Sequence, residues 1–452
     1  MNKKKFTLST THIIMFSFLA AILIGACLLC LPISSASGEW VSFVDALFTS
    51  TTATCVTGLV VMPTVSSWSL FGQVVILILI QIGGLGIITV MSWIAVIFHR
   101  KMGLADRLLI QDAFNLNTLS GLIRFIKKVI LGTFAVEGIG SLLYMTVFVK
   151  QFGLKGIWIS VFTSVSAFCN AGIDIIAENS LCDYATNPII NAVTMGLIVA
   201  GGIGYIVWWD VLRVIKLRRT AKINPLRALT LHSKIALTST LVLILLGAAF
   251  IFAFEYNNPL TVGNLSLFDK MQVSIFQSVT TRTAGFATVP QENLTNGSAV
   301  ICLLLMFIGG SPVGTAGGVK TVTVTIIIAA AISAVKGNDN TDIFNRSLPK
   351  QAISKALAVV FTSFCTVVIS TLLLCAVTNN ALLNIVYETV SATATVGLTR
   401  NLTPSLNTLG KLIITATMYF GRVGPISLAL AFKLKRTGQS VIKNPTEEIS
   451  VG

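Results

Sequence analysis

Long apolar stretches alternate with short polar segments along this chain. Crossing a bilayer takes about 20 mostly apolar residues, and eight stretches meet that length. They lie near 12–32, 70–98, 126–149, 188–209, 235–256, 299–332, 356–378 and 410–432. We therefore expect an all-α membrane protein with eight transmembrane helices in a lipid bilayer. The first stretch follows three lysines but is long for a signal peptide and has counterparts later in the chain, so we expect it to be retained.

Four polar segments between these stretches share one pattern. Each begins with an aromatic residue, continues with Ser- and Thr-rich sequence, and ends in a small residue, a glycine and an apolar residue. They cover 48–59, 162–173, 276–286 and 387–398, and their glycines are 114, 113 and 112 residues apart. The even spacing predicts four copies of one unit. The predicted repeats are 12–98, 126–209, 235–332 and 356–432, followed by a cytoplasmic tail, 433–452.

These four segments are too short and too polar to cross a membrane. We predict re-entrant hairpins, each a half-helix followed by a non-helical strand, because irregular backbone at membrane depth requires protein or a water-filled cavity around it. Four such hairpins imply one shared axial cavity, a pseudo-fourfold pore. The C-terminal ends of the half-helices favour a cation. Glycine allows the backbone angles that turn carbonyl groups toward the axis, and rings of carbonyls can replace the hydration shell of a monovalent cation. The alternative is that the glycines are ordinary turn residues.

Composition and charge exclude several classes of protein. Mean hydropathy is +0.85 and only 11% of residues are charged, against about 25% in soluble domains, which excludes a soluble enzyme and a disordered protein. The net charge of +15 comes from having only 17 acidic residues beside 32 basic ones, so it does not indicate nucleic-acid binding. Of those 32, 24 lie at the N-terminus and in segments 99–128, 213–234, 333–355 and 433–452. The positive-inside rule then predicts two cytoplasmic termini.

The sequence gives little support for a metal or redox site, a catalytic site or a phosphate-binding loop. Cys27 and Cys30 form a CxxC inside an apolar stretch without a nearby His, so we interpret them as packing residues. The three histidines are far apart, which speaks against a membrane enzyme. A phosphate-binding loop is excluded at Lys320-Thr321, because Val319 precedes the lysine where that motif has glycine.

In its four repeated segments, 48–59, 162–173, 276–286 and 387–398, the chain resembles the Trk/Ktr/HKT superfamily of K⁺ transport proteins. Within that superfamily it is most similar to the KtrB-like membrane subunits of bacterial Ktr potassium uptake systems. The resemblance implies four K⁺-channel-like repeats around one pseudo-fourfold pore, in a potassium-translocating subunit of the bacterial cell membrane that binds K⁺ at a selectivity filter. The filter residues carried over are Val56, Thr57, Gly58, Leu59, Asn170, Ala171, Gly172, Ile173, Thr283, Ala284, Gly285, Phe286, Thr395, Val396, Gly397 and Leu398. Each strand has a single glycine, and the resemblance therefore implies a looser filter than that of K⁺ channels.

The second apolar stretch of each repeat also contains glycines. For the pairs Gly83-Gly84 and Gly201-Gly202 we favour close packing over a bend. The third repeat has a Pro and five glycines in 309–320, and must break into two halves because interior Gly and Pro cost about 1 and 3 kcal/mol. The resemblance implies that this loop is a gate, with a rigid kink as the alternative. The gate residues are Gly309, Gly310, Ser311, Pro312, Gly314, Thr315, Gly317, Gly318 and Lys320.

Several charged residues fall at membrane depth. We expect Arg422 either to set an electrostatic barrier in the cavity or to anchor the gate loop through its carbonyl groups. Glu137 should pair with a buried polar or basic group, and Arg282 could brace the third filter strand. Asp45 and Glu388 are interpreted as acids at the beginning of half-helices, where they complement the helix dipole.

The resemblance also implies partners that the residues alone do not indicate. These are a cytosolic RCK-type nucleotide-binding ring, KtrA-like, and a second copy of the chain in a homodimer. No cofactor is expected in this chain, K⁺ being the transported ion, and activation by Na⁺ is left open. The alternative function is a Na⁺- or H⁺-coupled K⁺ symporter with alternating access. Two or more broken spanning helices would favour it, and the sequence predicts one clear break.

Overall fold

The computed structural model describes residues 10–97, 121–221, 225–338 and 340–424, together with Gly103, Leu108 and Gln111. It is mostly helical, as the hydrophobic pattern predicts. The helices are α1 (Thr10–Cys30), α2 (Phe43–Thr54), α3 (Thr64–Ser67), α4 (Leu70–Leu85), α5 (Ile87–Ile97), α6 (Leu122–Phe152), α7 (Lys155–Cys169), α8 (Pro188–Gly202), α9 (Tyr205–Ala221), α10 (Pro225–Ala228), α11 (Leu231–Glu255), α12 (Leu267–Thr280), α13 (Asn296–Phe307), α14 (Thr321–Val335), α15 (Lys350–Val377), α16 (Leu382–Ala394) and α17 (Thr408–Val423).

One order of elements recurs four times in this list. A long helix (α1, α6, α11 or α15) is followed by a short one (α2, α7, α12 or α16), then by a non-helical strand with a glycine, then by a third helix (α4, α8, α13 or α17). We call these the outer helix, the short helix and the inner helix of each unit. In units one, two and four all three helices pack against one another, and in unit three the outer helix packs against both of the others.

A serine in the C-terminal half of each of the first three short helices fixes it to its outer helix. Ser50 donates to Ile22 O at 2.7 Å, Ser164 to Glu137 O at 2.7 Å and Ser278 to Ile244 O at 2.9 Å. A glycine on each outer helix, Gly25, Gly140 and Gly247, makes room, because a Cβ there would lie within 3.0 Å of the serine oxygen. The fourth unit uses Thr389, whose hydroxyl lies 2.8 Å from that of Thr371.

Helix length and composition identify several membrane-crossing elements. Among the described residues the four outer helices are long and apolar enough to span a bilayer, and α8 and α9 make a fifth candidate, a pair bent by 98° at the break between them. The helices α4, α7, α13 and α14 are also apolar but shorter. The chain is therefore a multi-pass membrane protein.

The inner helices differ from the prediction of unbroken stretches at 70–98 and 188–209. Both break, between Leu85 and Ile87 and between Gly202 and Tyr205. Gly86 and Gly204 at the breaks have φ of +82° and +92°, a backbone conformation that glycine adopts without steric cost. The helix α17 likewise ends at Gly424, with φ of +91°. The last part of the predicted span 410–432 and the tail 433–452 lie outside the described residues.

A small sheet is a second departure from the all-α prediction. Strands β1 (Asp342–Ile343) and β2 (Arg346–Ser347) pair antiparallel between α14 and α15. The intervening Phe344 and Asn345 both have positive φ, which is the geometry of a two-residue hairpin turn whose twist matches that of the strands.

Candidate functional site: a ring of four glycine strands above a docked loop

The strands that follow the four short helices share an unusual backbone. The glycines Gly58, Gly172, Gly285 and Gly397 have φ of +99°, +62°, +86° and +96°. Two residues earlier, φ is again positive, from +51° to +67°, at Val56, Asn170, Thr283 and Thr395. Positive φ is rare for such side chains and for a β-branched residue is a genuine outlier. Alternating positive and negative φ turns successive carbonyl groups to the same side of a strand.

These four strands meet in one closed ring. A Cβ at Gly58 would meet Ala171 O at 2.5 Å, one at Gly172 would meet Ala284 O at 2.6 Å, and one at Gly285 would meet Val396 O at 2.5 Å. The ring closes because Thr57 O faces Gly397 in the same way. Each glycine thus lies against the carbonyl oxygen just before the glycine of the next unit, in the order one, two, three, four, one. The sixteen residues predicted as filter are all buried in this ring.

Hydroxyl groups of the short helices hold the strands. Gly58 N donates to Thr52 Oγ1 at 2.9 Å and Gly397 N donates to Ser391 Oγ at 3.0 Å. In the third unit the direction reverses, and Thr280 Oγ1 donates to Phe286 O at 2.6 Å. The sixteen ring residues include no carboxylate, and their oxygens are backbone carbonyls and the side-chain oxygens of Thr57, Asn170, Thr283 and Thr395. The C-terminal ends of the four short helices add partial negative charge that favours a cation.

The segment 308–320, between α13 and α14, lies directly against this ring. Gly317 N donates to Thr283 Oγ1 at 3.1 Å, and Thr315 Oγ1 donates to Phe168 O, at the end of short helix α7, at 3.0 Å. Gly317 also packs so closely on Thr395 that a Cβ would overlap its hydroxyl. The segment predicted as gate loop is therefore docked on the glycine strands of units three and four.

The same loop is fixed to the break in the second inner helix. Ser311 N donates to Gly202 O at 2.8 Å, Thr315 N to Gly201 O at 3.1 Å and Tyr205 N to Val313 O at 2.9 Å. Two close approaches need glycine there, since a Cβ at Gly314 would lie 2.8 Å from Gly201 O and one at Gly204 would collide with Pro312 O. Broken inner helix and loop thus supply each other's unpaired backbone groups.

At its ends the loop closes on itself. Ile308 pairs with Val319, and Gly309 N donates to Val319 O at 3.0 Å. Gly318, with φ of +65°, packs on Gly309. Thr321 N donates to Gly310 O at 3.0 Å, and the hydroxyls of Ser311 and Thr321 are 3.0 Å apart.

Three basic side chains bind carbonyl oxygens around the loop. Arg422 donates from one guanidinium nitrogen to Thr315 O at 2.8 Å and from another to Gly83 O at 2.5 Å. Lys320 Nζ donates to Ala316 O at 2.5 Å and Gly317 O at 3.4 Å. Arg282 reaches Gly309 O at 3.4 Å. Arg422 thus makes the contact that an anchor of the loop requires, and Arg282 contacts the loop instead of its own strand.

A cavity of about 390 Å³ lies beside the loop. Its lining includes Gly83, Tyr205, Gly317, Lys320, Thr393 and Arg422. Residues from the loop, from the inner helices and from the end of the fourth short helix therefore share one space.

The sequence predicted that Asp45 and Glu388 each lie at the beginning of a short helix, and this holds for Asp45 only. Asp45 does lie in the first turn of α2, where it forms an ion pair with Lys411 at 2.6 Å. For Glu388 the interpretation was wrong, because α16 begins at Leu382 and Glu388 lies in its middle, fully buried. Glu388 accepts hydrogen bonds from Thr399 at 2.6 Å and from Thr403.

Glu137 is buried in α6 and is bound by polar side chains, as its position suggested. Gln81 Nε2 donates to its two oxygens at 3.1 and 3.3 Å, and the Cys169 thiol lies 3.9 Å from one of them. Sequence reasoning missed the pair Gln277 and Gln291, whose amides bond to each other behind the third strand. The sequence feature that could have indicated this pair is Gln277 itself, which stands where the first two repeated segments have threonine.

Comparisons with known proteins agree with this architecture. The family model described as TrkH, cation transport protein, matches residues 4–442. In solved structures, the potassium transporter TrkH from Vibrio parahaemolyticus superposes with a TM-score of 0.75 at 15% identity, covering 96% of this chain and 87% of that one. At that identity the likeness concerns the fold.

Relatives at higher identity span nearly the full chain. The Ktr system potassium uptake protein B of Bacillus subtilis is 41% identical over 98% of this chain and 96% of its own length. The potassium/sodium uptake protein NtpJ of Enterococcus hirae is 36% identical over 98% of both chains. The Ktr system potassium uptake protein B of Vibrio alginolyticus is 33% identical over 98% of this chain and 94% of that one. With a family model and full-length relatives in agreement, the chain belongs to the TrkH family of cation transport proteins.

Proposed function

We propose that this chain is the K⁺-translocating membrane subunit of a potassium uptake system. The single observation that carries the proposal is the closed ring of four strands, each with its glycine against the preceding carbonyl of the next unit. Its family consists of ion transporters and not of enzymes. Relatives named as potassium uptake proteins, at 41% and 33% identity over nearly the whole chain, support K⁺ as the ion.

In this proposal the sixteen buried strand residues are the selectivity filter. Their carbonyl oxygens replace the hydration shell of K⁺, and the C-terminal ends of α2, α7, α12 and α16 favour positive charge below them. One glycine per strand instead of two makes the filter looser than that of a K⁺ channel. The relative named as a potassium/sodium uptake protein supports Na⁺ as an activator or second ion.

The loop 309–320 is proposed as the gate. Its support is its position, with Gly317 on Thr283 and Thr315 on the end of α7, where a K⁺ leaving the ring would meet it. Arg422 is proposed to hold the gate closed through Thr315 O. Opening requires only that the hydrogen bonds of a short, non-helical segment be exchanged for bonds to water, at about 1 kcal/mol net for each bond.

The proposed topology follows the predicted repeats. Eight spans and four re-entrant short helices form units 12–98, 126–209, 235–332 and 356–432, with both termini and the tail 433–452 in the cytoplasm of a bacterial cell. Two relatives are named as components of Ktr systems. By that likeness the gate is proposed to be controlled by a cytosolic RCK-type nucleotide-binding subunit, and the chain to form a homodimer.

A coupled K⁺ symporter is the second candidate, and the breaks in the inner helices favour it. Discontinuous helices near a central site are typical of alternating-access transporters, and breaks occur at Gly86 and Gly204 as well as in the loop. One feature speaks against the symporter. The breaks lie at equivalent positions of units that all have the same order of elements, whereas alternating-access transporters often have their broken helices in two halves of inverted topology.

Ion flux in liposomes decides between the two candidates. Purified protein is reconstituted with K⁺ inside, and net K⁺ flux is followed with a K⁺-selective electrode while Na⁺ or H⁺ gradients are imposed or absent. For a pore, net K⁺ flux is zero when the membrane potential is set to the K⁺ equilibrium potential, whatever the other gradients. Net K⁺ uptake that persists at that potential and follows the Na⁺ or H⁺ gradient would establish the symporter. Absence of any K⁺-selective flux would contradict both.

A further inference from the structure

The residue that follows the aromatic at the start of each repeated segment differs between units. It is Thr49 in the first, Thr163 in the second, Gln277 in the third and Glu388 in the fourth. All four are buried within their short helices. Two units thus carry a short hydroxyl at this place, and two carry a long polar side chain that can reach beyond its own helix.

In the fourth unit the long side chain reaches the segment that follows the filter strand. Glu388 accepts the Thr399 hydroxyl at 2.6 Å, and Thr399 directly follows Leu398 in the ring. It also accepts the Thr403 hydroxyl, while Thr399 Oγ1 itself accepts Leu402 N at 3.1 Å. A buried carboxylate requires such donors, because leaving it without them costs several kcal/mol. The contacts therefore fix the outer end of strand four to α16.

In the third unit an amide pair makes the equivalent connection. Gln277 Nε2 donates to Gln291 Oε1 at 2.6 Å and Gln291 Nε2 donates back to Gln277 Oε1 at 3.1 Å. Gln291 lies five residues beyond Phe286 and also donates to Val289 O at 2.8 Å. Both side chains are buried, so the pair fixes the segment beyond strand three to α12.

The two connections are joined to each other. Tyr387, next to Glu388, donates to Gln291 Oε1 at 3.1 Å. Arg400, next to Thr399, donates to Gln291 O at 3.0 Å and Glu292 O at 2.9 Å. The outer ends of strands three and four therefore form one hydrogen-bonded unit.

The second unit offers a contrast. Thr163 is fully buried, and its hydroxyl has no hydrogen-bond partner among the described residues. Beyond strand two, Asp174 accepts Ile176 N at 3.3 Å, a bond inside its own loop. Here the short helix makes no connection of the kind that Glu388 and Gln277 make.

We propose that Glu388 and the Gln277–Gln291 pair are specificity-determining positioning residues, which hold filter strands three and four from behind so that one half of the ring sets ion selectivity. The inference rests on the proposed filter function. In the account of selectivity by cavity size, a carbonyl ring discriminates between K⁺ and the smaller Na⁺ because its oxygens resist moving inward. Strands three and four gain that resistance from the connections beyond the ring, in addition to the helix hydroxyls that bind Gly58 N and Gly397 N within it.

The test measures K⁺ and Na⁺ flux separately in liposomes that contain purified full-length protein. The variants Glu388→Leu and Gln277→Leu remove the connections, and Thr399→Val removes one donor while leaving the carboxylate in place. Glu388→Gln is the conservative variant, because an amide accepts one threonine hydroxyl and donates to the other. Thr163→Val is the matched control in the second unit, and Gly397→Ser tests the filter itself.

We expect Glu388→Leu, Gln277→Leu and Thr399→Val to lower the K⁺/Na⁺ flux ratio roughly tenfold with K⁺ flux retained, and Glu388→Gln and Thr163→Val to keep the ratio of the unmodified protein. If Glu388→Leu does not fold, Thr399→Val and Gln277→Leu decide. An unchanged ratio in these variants while Gly397→Ser loses selectivity would overturn the bracing role and leave the filter intact. An unchanged ratio in Gly397→Ser would instead refute the filter. A loss in Thr163→Val equal to that in Glu388→Leu would refute the division of the ring into two halves.

Discussion

At the scale of single residues, the ring positions require glycine for two reasons: a positive φ, and a neighbouring carbonyl oxygen too close for a Cβ. Gly285 has φ of +86°, and a Cβ there would lie 2.5 Å from Val396 O. Gly38 has a similar φ of +73° but nothing within 4 Å of a Cβ. We expect Gly285→Ser to lower the K⁺/Na⁺ flux ratio about tenfold, since a side chain there displaces Val396 O in the ring itself, in addition to backbone strain of about 1–2 kcal/mol. Gly38→Ser should keep the ratio, and a comparable loss in both would attribute the effect to strain and not to the ring.

Arg422 poses a second question at this scale, because its charge and its hydrogen bonds make different predictions. The guanidinium bridges Thr315 O and Gly83 O, 2.8 and 2.5 Å away, and a lysine keeps the charge but cannot reproduce that fork. If the residue anchors the loop, Arg422→Lys and Arg422→Gln should both raise K⁺ flux of the isolated subunit several-fold, as charge-assisted bonds contribute about 1.5–3 kcal/mol. An electrostatic barrier predicts instead that Arg422→Lys behaves like the unmodified protein. Flux of the three proteins in liposomes at equal protein content separates these outcomes.

At the scale of elements, the proposed gate loop can be shortened without stretching the chain where its two ends are joined. Ile308 pairs with Val319 and Gly309 packs on Gly318, so the ends left by deleting residues 311–317 already lie side by side. We expect the deletion to raise K⁺ flux in the absence of any partner, because Thr315 and Gly317 no longer cover the ring. The milder variant Thr315→Val removes the bond to Phe168 O and should raise flux less. Thr325→Val, which loses a bond within α14, should leave flux unchanged, and unaltered flux in the deletion would remove the gating role.

The elements also show how far the sequence pattern reaches. Apolar stretches predicted the positions of the outer helices, because burial in lipid demands continuous apolar sequence. Breaks at Gly86 and Gly204 were not predicted, since a glycine pair in an apolar helix serves close packing and bending equally well. The structure uses both. Gly83 packs on Thr54 O, and Gly86, three residues later, ends the helix. Glu388 was misplaced because no capping signal in the sequence marks Leu382 as the start of α16.

At the scale of the whole molecule, the fourfold pattern was readable while its asymmetry was not. Spacings of 112 to 114 residues between the glycines predicted four equivalent strands, and the ring of contacts has that order. What breaks the symmetry depends on long-range contacts. The loop of unit three docks on units two, three and four, and Arg422 of unit four reaches both Gly83 and Thr315. No local pattern encodes which distant carbonyl a side chain will bind, so these contacts required the structure.

Closure of the ring within one chain makes a prediction about assembly. Contacts run from unit one to unit four and back to unit one, through Thr57 O and Gly397, so one polypeptide supplies the complete ring of four strands. With this ring as the proposed filter, any dimer contains two separate pores. When unmodified protein and Gly285→Ser are co-expressed in varied ratios, purified together and reconstituted, Na⁺ flux should rise linearly with the fraction of variant, because each chain acts alone. A filter assembled from two chains would give a curved dependence, since mixed pores would appear in proportion to the product of the two fractions. Quantifying both chains by mass spectrometry and Na⁺ flux by isotope uptake distinguishes a straight line from a curve.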